Sequence, residues 1–237
     1  MLSESVRRAR LLVVLFLCVA CSSALPWHDA PPPDEVNLSF TVQNNLLFLT
    51  SAKINGHPGR YFFGSATPQT VIDPRAVPCT GTYALTLGDR ATLPFTPAVM
   101  DLHGLGDALI GADVFGQRGV TIDYRGGLLT YQKAGMHPAY MTLFRFNSEP
   151  AIDVSVDGKT TRAIVDTASP DTITLPATKE TRGRARVSIA KSDFGVVDVH
   201  YANVREARIG NRLLSKFLIA IDYRNRVVGI WRDPRIP

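Results

Sequence analysis

From Leu38 onward the chain runs in short apolar stretches separated by turn residues, and the apolar positions recur with the period of a strand. Leu38 to Phe63 reads LSFTVQNNLLFLTSAKINGHPGRYFF, broken by Asn44-Asn45 and by Asn55-Gly56. Asn-Gly between such runs predicts a tight hairpin, because both residues tolerate positive φ. Ala151 to Val165, AIDVSVDGKTTRAIV, alternates in the same way around Asp157-Gly158. LTLGDRATLPF (85–95) and VSIAKSDFGVVDV (187–199) predict two further hairpins, and only the short apolar stretches after Gly111 and Gly210 suit one or two helical turns. The pattern predicts a mostly β protein with few short helices.

The two long β passages are related. Asn55 to Gly64 spans nine positions and Asp157 to Asp166 spans nine, so one offset of 102 carries Asn55 to Asp157, Gly64 to Asp166, Ser65 to Thr167, Ala66 to Ala168 and Pro68 to Pro170. A second pair of blocks, LIGADVFGQRGVTIDYRGGLLTYQ from Leu109 and RIGNRLLSKFLIAIDYRNRVVGIW from Arg208, aligns at an offset of 99. Ile110-Gly111 then matches Ile209-Gly210, and Asp123-Tyr124-Arg125 matches Asp222-Tyr223-Arg224. Agreement in order and spacing over blocks this long reads as an internal duplication, with lobes at residues 38–140 and 145–237 joined around MHPAYMTLF.

The 237 residues are 45% hydrophobic and 20% charged, an ordinary composition for a globular protein with an ample core rather than for a disordered chain. Arg7, Arg8 and Arg10 precede the apolar run LLVVLFLCVA, which is too short for a comfortable membrane span, and CSSALP follows it, so residues 1–24 read as an export signal. CVAC resembles a bacterial lipoprotein box with Cys21 as the lipidated residue, although Cys18 stands where that pattern usually has Leu; cleavage after Ala24 is the alternative. The expected address is the bacterial periplasm or a lipid anchor in the outer membrane. Residues 25–37, with PWHDAPPPDE, form a Pro-rich spacer, and Trp27 and His28 fall within it. Cys79 is the one cysteine beyond the leader, so no internal disulfide is expected. The formal charge of +5 comes from Lys and Arg spread along the chain, which is not a nucleic-acid signature. His28, His57, His103, His137 and His200 are too scattered for a ligand set, so neither a metal nor a cofactor is predicted.

AIVDTASPDTIT (163–174) carries the candidate chemistry: an aspartate at the end of a buried strand is costly to keep without partners. Apolar-apolar-Asp-Thr-Ala-Ser, followed later by ARIGNRLLSKF, resembles the aspartic proteases, most closely the retropepsin-like group; FFGSATPQTVID and ALIGADVFGQ carry a weaker likeness in the first lobe. The resemblance covers nearly all of the chain after the spacer. It implies a bilobal aspartic-protease-like fold, two fused retropepsin-like β-barrel lobes, of an exported bacterial type. It also implies that Asp166 is a candidate catalytic residue and that the hydroxyls of Ser65 and Thr167 bond across to the opposite loop. Gly64 occupies the position of the lost aspartate, and Ala66 and Ala168 replace the usual glycines.

Two close carboxylates share a proton because both cannot be ionised, so one acts as base toward a water while the other polarises the peptide carbonyl. A lone exposed aspartate, with a pKa near ~3.9, cannot play both parts around neutrality. Asp73, Asp101 and Asp171 occupy no position matching the motif. Asp123 and Asp222, in the repeated IDYR, read as strand-ending residues that bond a turn or pair with Arg125 or Arg224. Arg182, Arg184 and Arg186, at alternate positions after Lys179, share one face of a strand: a solvated face, or a surface for acidic peptides and anionic polymers if the strand covers the cleft. Ser65 and Ser169 lie in no nucleophile-elbow pattern.

Three functions compete at this level. The first is a peptide-binding pseudoenzyme that holds an extended peptide or protein segment in the interlobe cleft. The second is an aspartic endopeptidase, a hydrolase, that uses Asp166 through homodimerisation of the second lobe. The third is an envelope scaffold. The oligomeric state is open, and membrane contact is expected only through a lipid on Cys21.

Overall fold

The structure is a computed structural model that describes residues 35–78, 82–88, 90–116, 118–132 and 140–233. Cys18, Cys21, Trp27, His28, Cys79 and His137 lie outside the described residues.

Strands dominate. β1 (Glu35–Gln43) turns at Asn44 and Asn45, both at positive φ, into β2 (Leu46–Leu49). β3 (Ala52–Ile54) and β4 (His57–Pro58) flank Asn55 and Gly56, whose φ values of 50° and 83° are those of the anticipated tight turn. β5 (Tyr61–Phe63), β6 (Val71–Ile72), β7 (Tyr83–Leu87), β8 (Ala91–Phe95), β9 (Ala98–Val99) and β10 (Ala108–Ile110) follow. Then come the single-turn helix α1 (Ala112–Phe115), β11 (Gly119–Asp123) and β12 (Leu128–Gln132).

The second half opens with β13 (Thr142–Arg145) and the hairpin of β14 (Ala151–Val156) and β15 (Lys159–Val165), which turns at Asp157 and Gly158 with φ of 48° and 80°. β16 (Ile173–Pro176), the long hairpin of β17 (Thr181–Ile189) and β18 (Ser192–Ala202), β19 (Ala207–Ile209), α2 (Asn211–Leu214), β20 (Leu218–Asp222) and β21 (Val227–Trp231) complete the chain. β14, β15, β19, β16, β18 and β17 close a six-stranded barrel, which leaves its strands no free edge. An eleven-stranded sheet runs β13-β21-β20-β11-β12-β1-β2-β5-β10-β6-β9, so β11 of the first half is hydrogen-bonded directly to β20 of the second; β4, β3, β7 and β8 form a separate sheet. Among the described residues no helix is long and apolar enough to cross a membrane.

The internal repeat is written into the strand pairings. β5 runs parallel to β10 with Tyr61, Phe62 and Phe63 opposite Ala108, Leu109 and Ile110. β15 runs parallel to β19 with Ala163, Ile164 and Val165 opposite Ala207, Arg208 and Ile209. Adding 102 to the first strand and 99 to the second converts one register into the other without a slip. The antiparallel partners, β6 on β10 and β16 on β19, recur as well, but with a register differing by one residue.

Both short helices start from a glycine in the same extended conformation, Gly111 at φ −100°, ψ −176° and Gly210 at φ −100°, ψ 178°. A side chain is excluded there by close approach of backbone. A Cβ on Gly111 would lie 2.7 Å from the Thr67 carbonyl oxygen, and one on Gly210 would lie 2.7 Å from the Ser169 carbonyl oxygen. Each strand-to-helix junction is thereby pressed against the loop that follows β5 or β15.

Behind α1, Phe115 is fully buried and meets Phe63 edge-on at 5.1 Å and Tyr131 at 5.3 Å between ring centroids. Leu214 of α2 stands at the matching position of the second half. Phe115→Ala should therefore lower stability by about 3–5 kcal/mol in urea denaturation, whereas Val196→Ala, at an exposed site on β18, should change it by no more than about 0.5 kcal/mol.

Candidate functional site

The β5 and β15 strands end in two loops of the same shape. Gly64 N–H donates to the Ile110 carbonyl at 2.9 Å and Asp166 N–H to the Ile209 carbonyl at 3.0 Å. Three residues on, Thr67 N–H returns to the Gly64 carbonyl and Ser169 N–H to the Asp166 carbonyl, both at 3.2 Å.

The loops are joined by a reciprocal exchange. Ser65 N–H donates to Thr167 Oγ1 at 2.8 Å, and Thr167 N–H donates to Ser65 Oγ at 3.1 Å. Each hydroxyl then donates onward, Ser65 to the Val165 carbonyl at 2.5 Å and Thr167 to the Phe63 carbonyl at 2.8 Å. Ser65 and Thr167 are fully buried, so every donor and acceptor in the exchange depends on the other loop.

Around this exchange the repeated tyrosines cross over. Tyr124 of the first half donates to Asn211 Oδ1 at 2.7 Å, and Tyr223 of the second half donates to the Ser65 carbonyl at 2.8 Å. Burial pushes both phenols above the ordinary tyrosine value, so each hydroxyl stays a donor at any physiological pH. The Asn211 amide in turn donates to the Thr167 carbonyl at 2.6 Å and to the Asn45 carbonyl at 2.5 Å.

Asp166 is buried, with one carboxylate oxygen accepting the Ala168 N–H at 3.0 Å and the other accepting Arg208 Nη1 at 2.8 Å. Arg208 Nη2 lies 3.8 Å from Glu149 Oε1, so the guanidinium stands between two acids. Asp166 thus has a cation for its charge partner where a proton-sharing pair requires a second carboxylate. On the opposite side, Gly64 has no side chain to offer. A Cβ there would run into Thr67 Oγ1 and lie 2.7 Å from Leu109 Cδ1. Leu109 is the match of Arg208 in the repeat, and it packs on a small apolar cluster of Leu46, Phe48, Phe62 and Leu102 that Ala168 also touches. A cavity of about 230 Å³ opens beside the first loop, lined by Ser65, Ala66, Pro68, Asp113, Glu149 and Tyr223 among others.

The other acids are committed elsewhere. Asp73 is bound by Arg75, whose guanidinium and backbone N–H hold its carboxyl far below the usual carboxylate range, and by the Leu102 N–H. Asp101 takes the same Arg75. Asp123 accepts the N–H groups of Arg125 and Gly126, and Asp222 accepts that of Asn225 together with its side-chain amide. These are the turn contacts expected of a strand-ending aspartate.

The arginines of β17 do share an exposed face, while Ala185, Val187 and Ile189 point inward. Each faces an acid: Arg182 with Asp171 at 3.4 Å, Arg184 with Asp198 at 3.9 Å, and Arg186 with Asp193. The stripe is therefore charge-compensated. Among the described residues no group of three His, Cys, Asp or Glu side chains converges as a metal site would require.

Sequence reading missed Arg208 and Glu149. Arg208 was visible as a charge at the position where the repeat has Leu109, next to Ile-Gly; Glu149 carries no motif. Neither a protein-family model nor a curated protein matches the chain.

Thr167→Val would remove the hydroxyl that serves both the Ser65 N–H and the Phe63 carbonyl. Stability should fall by about 1–3 kcal/mol for each buried group left without a partner, measured by chemical denaturation, and Thr167→Ser should recover most of the loss.

Proposed function

We propose that the chain is an exported, two-lobed, retropepsin-like protein whose cleft holds an extended peptide or protein segment without cutting it. One observation carries this reading: the acid that should face Asp166 is Gly64, and Arg208 has taken the vacant charge role at 2.8 Å. A water between Asp166 and Gly64 would meet one carboxylate already committed to a guanidinium, with no protonated acid to polarise a carbonyl. The matching registers of β5 with β10 and β15 with β19, and the reciprocal exchange of Ser65 and Thr167, support the bilobal reading.

Homodimerisation through the second lobe is the competing route to an acid pair. It has a geometric obstacle: the face of Thr167 that a partner's loop would need already holds Ser65 and the Phe63 carbonyl of the same chain. The monomeric pseudoprotease is therefore preferred. In this reading the export signal sends it to a bacterial envelope, with Cys21 as the lipid anchor and the Pro-rich stretch before β1 as the tether; the spacer read from the sequence as 25–37 is shortened, because residues 35–37 belong to β1.

Incubation of the purified protein with a peptide library from acid to neutral pH should give no cleavage while retaining peptides. Cleavage that disappears in Asp166→Asn would overturn the reading. Gly64→Asp combined with Arg208→Leu restores both the acid and the apolar neighbour of the first half, and is the variant in which cleavage should first be seen. In a bacterial host fed labelled fatty acid, the full chain should carry label that Cys21→Ser abolishes; a soluble product beginning at Leu25 would refute the anchor.

A further inference from the structure

His200 of β18 stands opposite Thr174 of β16 in one ladder and Arg182 of β17 in the other. Its side chain is only 16% exposed. Nδ1 lies 2.8 Å from Asp171 Oδ2 and Nε2 lies 3.0 Å from Glu180 Oε1. A neutral imidazole has one N–H and one lone pair, so it can satisfy one of these carboxylates while turning a lone pair on the other. An imidazolium donates to both. The geometry is that of the protonated ring.

The two acids belong to different segments. Asp171 lies in the loop that carries Asp166 and Thr167, five residues after Asp166, and Glu180 immediately precedes β17. We propose that His200 is a pH-operated clasp, fastening the Asp166 loop to the base of the β17–β18 hairpin when protonated and releasing it when neutral.

The charged groups around the ring act with opposite signs. From the loop, Asp171 favours the cation most, through its hydrogen bond, and Glu180 adds to it. From β17, Arg182 opposes it, although Asp171 Oδ1 receives part of that charge at 3.4 Å. Asp198 of β18 and Arg212 of α2 line the same small cavity, and Asp198 is turned toward Arg184. Burial opposes the cation, but the two carboxylates outweigh it and the pKa is raised from the ordinary histidine value of 6.5. A raised folded value fixes the direction of linkage. The stabilisation is fully present below the unfolded pKa of about 6.5 and is lost as pH rises through the higher folded value. The clasp is closed in mild acid and opens on the alkaline side of that value. It rests on His200, Asp171 and Glu180 and does not depend on whether the cleft binds peptide.

The test is hydrogen exchange of the full chain between pH 5 and 9, corrected for intrinsic rates, together with the NMR titration of the His200 ring. The ring should titrate above free histidine in the same buffer. Protection of residues 167–176 and 178–183 should fall several-fold across that midpoint in the wild type and show no such step in His200→Gln. A midpoint at or below free histidine would overturn the clasp, as would an equal step in His200→Gln. Glu180→Gln alters a side chain that is 77% exposed and should leave the fold intact while lowering the His200 midpoint; an unmoved midpoint would also refute the proposal.

Discussion

The exchange between Ser65 and Thr167 is the constraint on which the two halves depend. Each hydroxyl accepts an N–H from the opposite loop and donates to a carbonyl of the opposite strand, and all of these groups are buried. A hydrogen bond of this kind adds modestly to stability, but leaving its partners unpaired away from water is expensive, so the four contacts stand or fall together. The strand ends behind them, Phe63 and Val165, are held to the tolerance of a hydrogen bond. The crossed tyrosines and Asn211 add a second ring of contacts that passes between the halves in both directions.

Gly64 and Asp166 stand at matching positions without disturbing this arrangement, because no side chain at that position takes part in it. Asp166 poses a charge problem of its own, because it is buried. Arg208 answers it on one side, and Leu109, at the matching position, packs into an apolar cluster on the other. At the position before Ile-Gly, the half with Asp166 carries a cation and the half with Gly64 carries a leucine. The same rule of local compensation governs β17, where the arginines that alternate along one face each meet an aspartate from a neighbouring segment.

Much of the fold was legible because its information is local. Asn55-Gly56 and Asp157-Gly158 each fix a turn by their tolerance of positive φ, and a turn fixes the register of the strands that leave it, so counting residues from turn to loop put Gly64 and Asp166 in correspondence. Gly111 and Gly210 were legible as repeat markers, although the reason for them, the carbonyls of Thr67 and Ser169 at close approach, needed the structure. The partners of charged side chains were not legible. Arg208 finds Asp166 across 42 positions of sequence, and His200 finds Asp171 and Glu180 only because β18 is paired to both β16 and β17. Long side chains choose among whatever the sheet brings within reach, and strand order is not a property of any single stretch.

The unequal pair Leu109 and Arg208 has one more consequence. Two equivalent loops facing each other would present the same surface to an extended chain laid across them in either orientation. With a guanidinium and two carboxylates beside one loop and Leu109 in the matching place beside the other, the two orientations differ in electrostatic energy. The inequality of Leu109 and Arg208 thus gives the joined loops a head and a tail.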